Sequence, residues 1–442
     1  MNAKPANEPK RGLPVTRLLF FLLLLYACTD KNTIDTGTPH DPSKPVTVNR
    51  IAPDSGGVNT QMIIYGSNFG NDTSLIKVYI NGHPAHVIGL NGTALYILVP
   101  SKAGTGEVKV VVGTGASAKE ATAPGIFKYI FLPSVSTLAG FTDKDGKTAI
   151  VDGPIEKAQF EEPYWLCFDE QKNIYLLEEH RALRFINAAK TEVSTKWRTG
   201  NGLDRPRTLA FNPTWDTLYI TNDQGSWTGL STAVATKADN FTRWNSLIYS
   251  LQTNGGATQP QTGDYFYNSY SNGAIFKWDR AAKVAKELFR IGDVSWEFNI
   301  QFAPSGDFAY IVVVNQHYIL KSSFNRQTGE LETPVHFVGG RRSAGHNDGV
   351  GTDARFDQPH QGAFDENDNF YVCDIFNHCI RKITPEGVVS TFAGRPRSYG
   401  YADGALRDAQ FDRPMGIIYD RETGTFYVAD QKNRRIRIIS TE

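Results

Sequence analysis

A chain of 442 residues exceeds one ordinary domain, and its 40 glycines, 22 prolines and 12% aromatic content suit short strands joined by tight turns. Lys plus Arg and Asp plus Glu both number 46, for a formal net charge of zero. That balance lacks the basic excess with which a nucleic-acid binder neutralises phosphates, so no nucleic-acid partner is expected.

The first element is a targeting segment. Lys10, Arg11 and Arg17 lead into the apolar run Leu18–Ala27, which at ten residues is too short for a membrane-spanning helix of roughly 20. Leu25-Tyr26-Ala27-Cys28 resembles the lipobox of bacterial lipoproteins. The resemblance implies cleavage before Cys28, acylation of its thiol, and a secreted protein held by lipid at the outer membrane or cell surface. Each buried methylene contributes about 0.8 kcal/mol, so several acyl chains hold firmly. An ordinary signal peptide with an incidental cysteine is the alternative. Residues 1–28 are thus signal peptide and lipobox. Residues 29–46, rich in Thr, Asp, Pro and Lys, cannot bury enough surface to fold and read as a flexible tether. The three further cysteines, Cys167, Cys373 and Cys379, do not suggest a disulfide framework. Cys373 and Cys379 fall on neighbouring strands and read as buried thiols, with pairing left open.

Residues 47–131 alternate apolar and polar positions in short runs, clearest at Met62–Tyr65, Lys77–Ile80, Ala94–Val99 and Glu107–Val112. Asn81-Gly82 is a hairpin turn, because both positions tolerate positive φ. Ile51-Ala-Pro53, Gly66-Ser-Asn-Phe-Gly70, Val99-Pro100 and the closing Phe127-Lys-Tyr129 resemble the IPT/TIG family, implying an immunoglobulin-like β-sandwich used as spacer or interaction module. Phe69 is placed to plug the end of the sandwich. His83 and His86 lack the further ligands that a metal needs.

The segment 134–442 repeats. Asp152-Gly153, Phe160, Pro163 and Asn173-Ile-Tyr175 recur as Asp348-Gly349, Phe356, Pro359 and Asn369-Phe-Tyr371, and again as Asp403-Gly404, Phe411, Pro414 and Phe426-Tyr427. Asp to Phe is eight residues and Phe to Pro three in each copy. These units resemble NHL repeats. Degenerate copies start at Pro206, Trp244 and Trp296, so the resemblance implies a six-bladed β-propeller of about 50 residues per blade. Val135–Gly140 matches Val389–Gly394, and the last unit ends at Ile439 without an outer strand. The strand around Val135–Ala139 is therefore expected to close the ring against Arg435–Ile439. The fold class is all-β: an IPT/TIG sandwich followed by an NHL-type propeller. The Asp-Gly pairs read as turn chemistry, and Arg381 and Arg437 are expected to pair with Asp374 and Asp430.

Residues after each blade-starting Pro lie near the axis. Aligning the copies places Tyr164, Arg207, Asn245, Phe298, His360 and Met415 in one layer, and Trp165, Thr208, Ser246, Asn299, Gln361 and Gly416 in the next. Tyr164, Trp165, Arg207, Asn245, Asn299, His360 and Gln361 are the axial ligand candidates; packing of the channel is the competing role. Trp227, Tyr265 and Tyr267 are candidates for an aromatic surface that stacks on sugars. Trp278 reads as blade packing.

The combination resembles Bacteroidetes surface proteins that accompany carbohydrate uptake, implying a lipid-anchored protein that binds a glycan or a cell-surface protein. Two other readings stand beside it. One is a lyase or hydrolase with an axial metal on His360, and His317 less well placed, although no carboxylate joins them and no catalytic motif is present. The other is a structural adhesion or assembly subunit. No cofactor is called for, with an axial metal left open.

Overall fold

The computed structural model describes residues 38–442 apart from 59, 101, 143–145, 225–228, 251, 293–296 and 442. The lipobox with Cys28, most of the tether and Trp227 lie outside the described residues. Among those described, no helix is long and apolar enough to cross a membrane.

The described chain is built of strands and short 3-10 turns. In the N-terminal domain seven strands run in the hydrogen-bonded order Thr47–Ala52, Gln61–Ser67, Ala94–Leu98, His83–Leu90, Ile76–Ile80, Val108–Val112, Lys119–Thr122. His83–Leu90 pairs its first residues with Ile76–Ile80 and its last with Ala94–Leu98, so one strand serves two sheet segments. Ile64, Leu95 and Ile97 share one core with Val78, Ile80 and Val110, which fits an immunoglobulin-like fold. Phe69 is buried in that core as expected. Its neighbour Asn68 does something the sequence did not reveal: its amide holds the carbonyls of Asp41 and Lys44 at 2.9 and 3.0 Å. The last residues of the segment read as a tether are thereby fastened to the domain.

The remainder forms six sheets around an axis, a six-bladed propeller. Innermost strands are Pro163–Phe168, Pro206–Phe211, Gly256–Thr258, Phe298–Phe302, Pro359–Phe364 and Pro414–Asp420, which define blades 1 to 6. The closing strand is where expected: Pro133–Ala139 pairs with Arg435–Thr441, Val135 opposite Ile439 and Thr137 opposite Arg437. Both Val135 and Ile439 are buried, and each such side chain contributes about 1.5–3 kcal/mol, so a strand from the start of the domain seals its end.

One degenerate blade was misplaced. Asn245–Tyr249 is the outermost strand of blade 2, paired with Leu230–Thr236, and blade 3 begins at Gly256 instead. The proline that starts blades 1, 2, 5 and 6 is missing here, and an aromatic run of strand-like sequence imitated it.

Blades 1, 5 and 6 each carry a fully buried arginine. Arg381 donates to Asp374 at 3.0 Å and to Asp348 at 2.7 Å; Arg437 donates to Asp430 at 2.7 Å and to Asp403 at 2.6 Å. Arg184 repeats the arrangement with Glu178 and Asp152. The aspartate of each Asp-Gly pair therefore accepts from an arginine, and its glycine opens a short strand, Gly153–Pro154, Gly349–Val350 or Gly404–Ala405, in place of the expected turn. The expected pairs form; Arg184 escaped notice because six residues, not seven, separate it from its acid.

Candidate ligand-binding site on the propeller axis

In blades 1, 2, 5 and 6 the register of the innermost strand shifts just after the proline, a bulge that sets one residue apart from the ladder. Those residues are Tyr164, Arg207, His360 and Met415. Blade 4 has no such shift, since Phe298 faces Val313 and Asn299 faces Val312 in unbroken register. Lacking the extra residue, blade 4 buries Phe298 in its core and sends Glu297 to the axis instead.

Tyr164, His360 and Glu297 form one hydrogen-bonded unit. The Tyr164 hydroxyl lies 2.7 Å from Glu297 Oε1 and 2.8 Å from His360 Nε2, and His360 Nδ1 is 2.7 Å from the Met415 carbonyl. A carbonyl only accepts, so Nδ1 carries a hydrogen. The single hydroxyl hydrogen goes to the Glu297 carboxylate, with His360 Nε2 held against the phenol oxygen. Burial by itself would raise Glu297, but the hydrogen bond and charge of His360, followed by Arg207 and Tyr164, outweigh it and hold the carboxyl at about 2. Burial, and next the Glu297 charge, push Tyr164 well above the usual phenol range. Glu297 keeps 26% of its side chain exposed, so the buried Tyr164 and His360 reach solvent through it.

Arg207 extends the array. It donates to Glu179 at 3.1 Å and to Asp223 at 3.2 Å, while Gln431 donates to Glu179 at 2.9 Å and Tyr270 to Asp223 at 2.8 Å. Sequence reasoning missed Glu297, Glu179 and Asp223. For the last two a signal existed: each directly follows the second strand of its blade, as Gln431 does, so extending the repeat alignment one strand further exposes a second ring of axial positions.

The second axial layer laces the blades together. Gln361 of blade 5 brackets Leu166 of blade 1, donating to its carbonyl at 2.7 Å and accepting from its N–H at 3.0 Å. It passes blade 6 at Gly416, where a Cβ would stand 2.8 Å from the Gln361 oxygen. Trp165 donates to the Leu209 carbonyl at 3.2 Å. Gln301 donates to Asn299 at 2.7 Å and to the His360 carbonyl at 3.2 Å. Of the axial candidates, Tyr164, Arg207 and His360 meet at one mouth, whereas Trp165, Asn299 and Gln361 belong to this inner layer. Asn245 reaches neither; it is exposed on the outer edge of blade 2.

The aromatic surface expected at Tyr265 and Tyr267 is corrected. Both are buried, Tyr265 stacked on Tyr219 with ring centroids 4.4 Å apart and Tyr267 on Phe276 at 5.3 Å. Two successive blades pack through these rings, which leaves no face for a sugar. Trp278 is buried with them, as read. The axial-metal geometry also fails on its donors: both His360 nitrogens are engaged, and His317 Nδ1 lies 3.1 Å from the Gln358 N–H. Among the described residues no three His, Cys, Asp or Glu side chains converge as a metal requires. Cys373 and Cys379 are free and buried.

Comparison with known proteins agrees with this architecture. Residues 45–129 match the IPT/TIG domain family. The crystal structure of an auxiliary nutrient binding protein from Bacteroides thetaiotaomicron is 39% identical, superposes with a TM-score of 0.75, and is matched over 91% of this chain and 99% of its own. The chain belongs to that family of Bacteroides propeller proteins. A second member with the same description, from Bacteroides ovatus, is 33% identical over 92% of this chain and all of its own, with a TM-score of 0.70. Another from Bacteroides thetaiotaomicron, with the same identity, TM-score and share of this chain and 99% of its own length, carries the provisional description of a phosphatase. The repeats match NHL repeat-containing protein 2 of Bos taurus, 31% identical over 151 residues, 32% of this chain and 20% of that protein. The chain spans about a quarter of the first curated relative's length and a fifth of this one's.

Proposed function

We propose that this chain is a cell-surface binding protein, held to the membrane through Cys28, whose propeller captures a glycan at the axial mouth. The observation that carries this is the Tyr164–His360–Glu297–Arg207 array: four blades present different polar side chains at the axis and set hydrogen-bond acceptors in fixed places. Sugar hydroxyls are donors, and carboxylates such as Glu297, Glu179 and Asp223 accept from them with charge-assisted strength. The two relatives described as auxiliary nutrient binding proteins support a binding role.

A glycan array on the chain, followed by calorimetry with the best ligand, tests the reading. Losing one charge-assisted bond costs about 1.5–3 kcal/mol, so Glu297→Gln should weaken binding by roughly ten- to a hundredfold in a chain that still folds by circular dichroism. Failure of every glycan together with a specific surface-protein partner would move the function to assembly or adhesion. Turnover of a phosphate monoester that is lost in His360→Gln would move it to catalysis. The anchor has its own check: Cys28→Ser should abolish incorporation of labelled fatty acid.

A further inference from the structure

The end of the propeller that carries the axial mouth also carries an exposed basic and aromatic surface on blades 5 and 6. Residues 394–403 leave the outermost strand of blade 5, Val388–Ala393, and cross to blade 6. The Arg397 N–H donates to the Asn377 carbonyl at 2.8 Å, which seats this loop on the 3-10 turn Ile375–Asn377. His378 follows the turn. Its ring packs against Tyr399 with centroids 5.7 Å apart, and its Nδ1 accepts from the Arg413 N–H at 3.2 Å. The Arg413 guanidinium lies over the Phe376 ring, 4.9 Å from its centroid. Arg397, Tyr399, Phe376 and Arg413 are thus neighbours across the seam between two blades, with Arg395 exposed on the same loop. We propose that this surface reads charge for the mouth beside it: it takes the carboxylate or sulfate of a sugar unit next to the one held on the axis, so the ligand is an acidic glycan. The inference rests on glycan capture and names the class of glycan.

Three observations select that class. The first is unpaired charge. Exposed arginines elsewhere are paired, Arg326 with Asp307 and Arg290 with Glu287, whereas Arg395, Arg397 and Arg413 make no ion pair among the described residues. Asp412, the acid next to Arg413, is turned to the His378 ring, 3.4 Å away. Burial, then Arg381, and in smaller measure Arg397 and Arg407 hold the His346 ring well below the usual imidazole range although Asp348 opposes them, so the field over these loops is positive. A guanidinium fork matches the paired oxygens of an oxyanion. The second observation is stacking. Tyr399 is 71% exposed and Phe376 37%, and both stand among the arginines. Such rings offer flat faces to sugar C–H surfaces.

The third is position. Arg413 is two residues from Met415, whose carbonyl holds His360, so the basic surface begins at the lip of the mouth. Within the mouth the carboxylates of Glu297, Glu179 and Asp223 accept from hydroxyls and repel an anion. A glycan with a neutral unit in the mouth and an acidic unit beside it satisfies both regions. A nucleic acid, with a phosphate on every unit, would bring charge onto those carboxylates. The N-terminal domain joins at the opposite end of blade 6, where Pro133 pairs with Thr441, so the linker does not cross this surface.

The full chain is titrated calorimetrically with the hexasaccharides of hyaluronan, in which every second unit bears a carboxylate, and of κ-carrageenan, in which every second unit bears a sulfate. Each is set beside its carboxyl-reduced or desulfated form. An exposed ion pair contributes up to about fivefold in affinity, so at least one acidic hexasaccharide should bind roughly tenfold or more tightly than its neutral counterpart. That advantage should shrink as salt rises from about 50 to about 300 mM. Arg395→Gln, Arg397→Gln and Arg413→Gln together should weaken acidic binding roughly ten- to a hundredfold and leave the neutral form unchanged. The same three changed to Lys keep the charge and should retain most of the binding. Arg326→Gln, at the other end of the propeller, should change nothing. Equal affinity for acidic and neutral forms, acidic binding unchanged in the triple Gln variant, or an array that yields neutral glycans alone overturns the proposal and leaves glycan capture standing. Equally tight binding of hexathymidylate through the same arginines overturns it too, since the surface would then answer to any polyanion. Failure of every glycan overturns both readings.

Discussion

Arg437 provides the sharpest test of how the blades are held. Its guanidinium is fully buried and donates to Asp430, Asp403 and the carbonyls of Gln410 and Ala402 at 2.6–3.0 Å. Asp430, equally buried, also accepts from the Asp412 N–H and from Asn433, both at 2.8 Å. Arg437→Met keeps the volume and removes the charge, stranding the Asp430 carboxylate. Breaking a buried pair on one side costs about 3–5 kcal/mol. Unfolding entropy is about 2.1 cal/mol/K per residue, or roughly 0.6 kcal/mol/K for a propeller of about 300 residues, so the melting temperature should fall by about 5–8 °C. Arg437→Met with Asp430→Leu removes both charges and should recover most of that fall. The sign of the pH effect is fixed as well. Burial already outweighs the charge of Arg437 and pushes Asp430 up to about 6. Without the arginine its folded-state value rises further above the unfolded one, so the single variant gains stability as pH falls from 7 toward 4. Differential scanning calorimetry, which resolves the two domains, is the assay. A single variant that melts within about 1 °C of native, or a double variant no better than the single, would refute the claim that this network is a buried charge pair.

Three further outcomes are expected. Gly140 ends the ring-closing strand at φ +110, and an added Cβ would stand 2.8 Å from the Arg435 Cα, so Gly140→Ala should destabilise the propeller by about 2–4 kcal/mol in urea melts. Gly82→Ala, at φ +79 with open space around it, should cost about 1 kcal/mol and affect only the N-terminal domain. Burial first, and then the charge of Arg381, lower His346 to about 4. The folded state thus binds fewer protons than the unfolded one between about pH 4 and 6.5; stability is lost as pH falls through that window, and His346→Gln should flatten the slope in thermal melts.

The ring itself was legible in the sequence. Asp-Gly, Phe and Pro recur at fixed spacing because each blade must bury the same faces against its neighbours, and the closing strand was legible because Val135–Gly140 repeats an outer strand found elsewhere. The arginine pairs of blades 5 and 6 followed from the same periodicity. Tyr164, Arg207 and His360 were legible as well, from the residues that follow each blade-starting proline; tertiary structure decided the rest of the site. Whether a strand bulges by one residue depends on its partner's register, so a pattern read along one chain placed Phe298 at the axis where Glu297 stands. Asn245 was misassigned because an outermost and an innermost strand share the same alternation and differ only in what lies beside them. Tyr265 and Tyr267 look alike in sequence whether they stack on a sugar or on Tyr219 and Phe276. Local pattern encodes which faces must be buried; what each face meets is settled when distant strands come together.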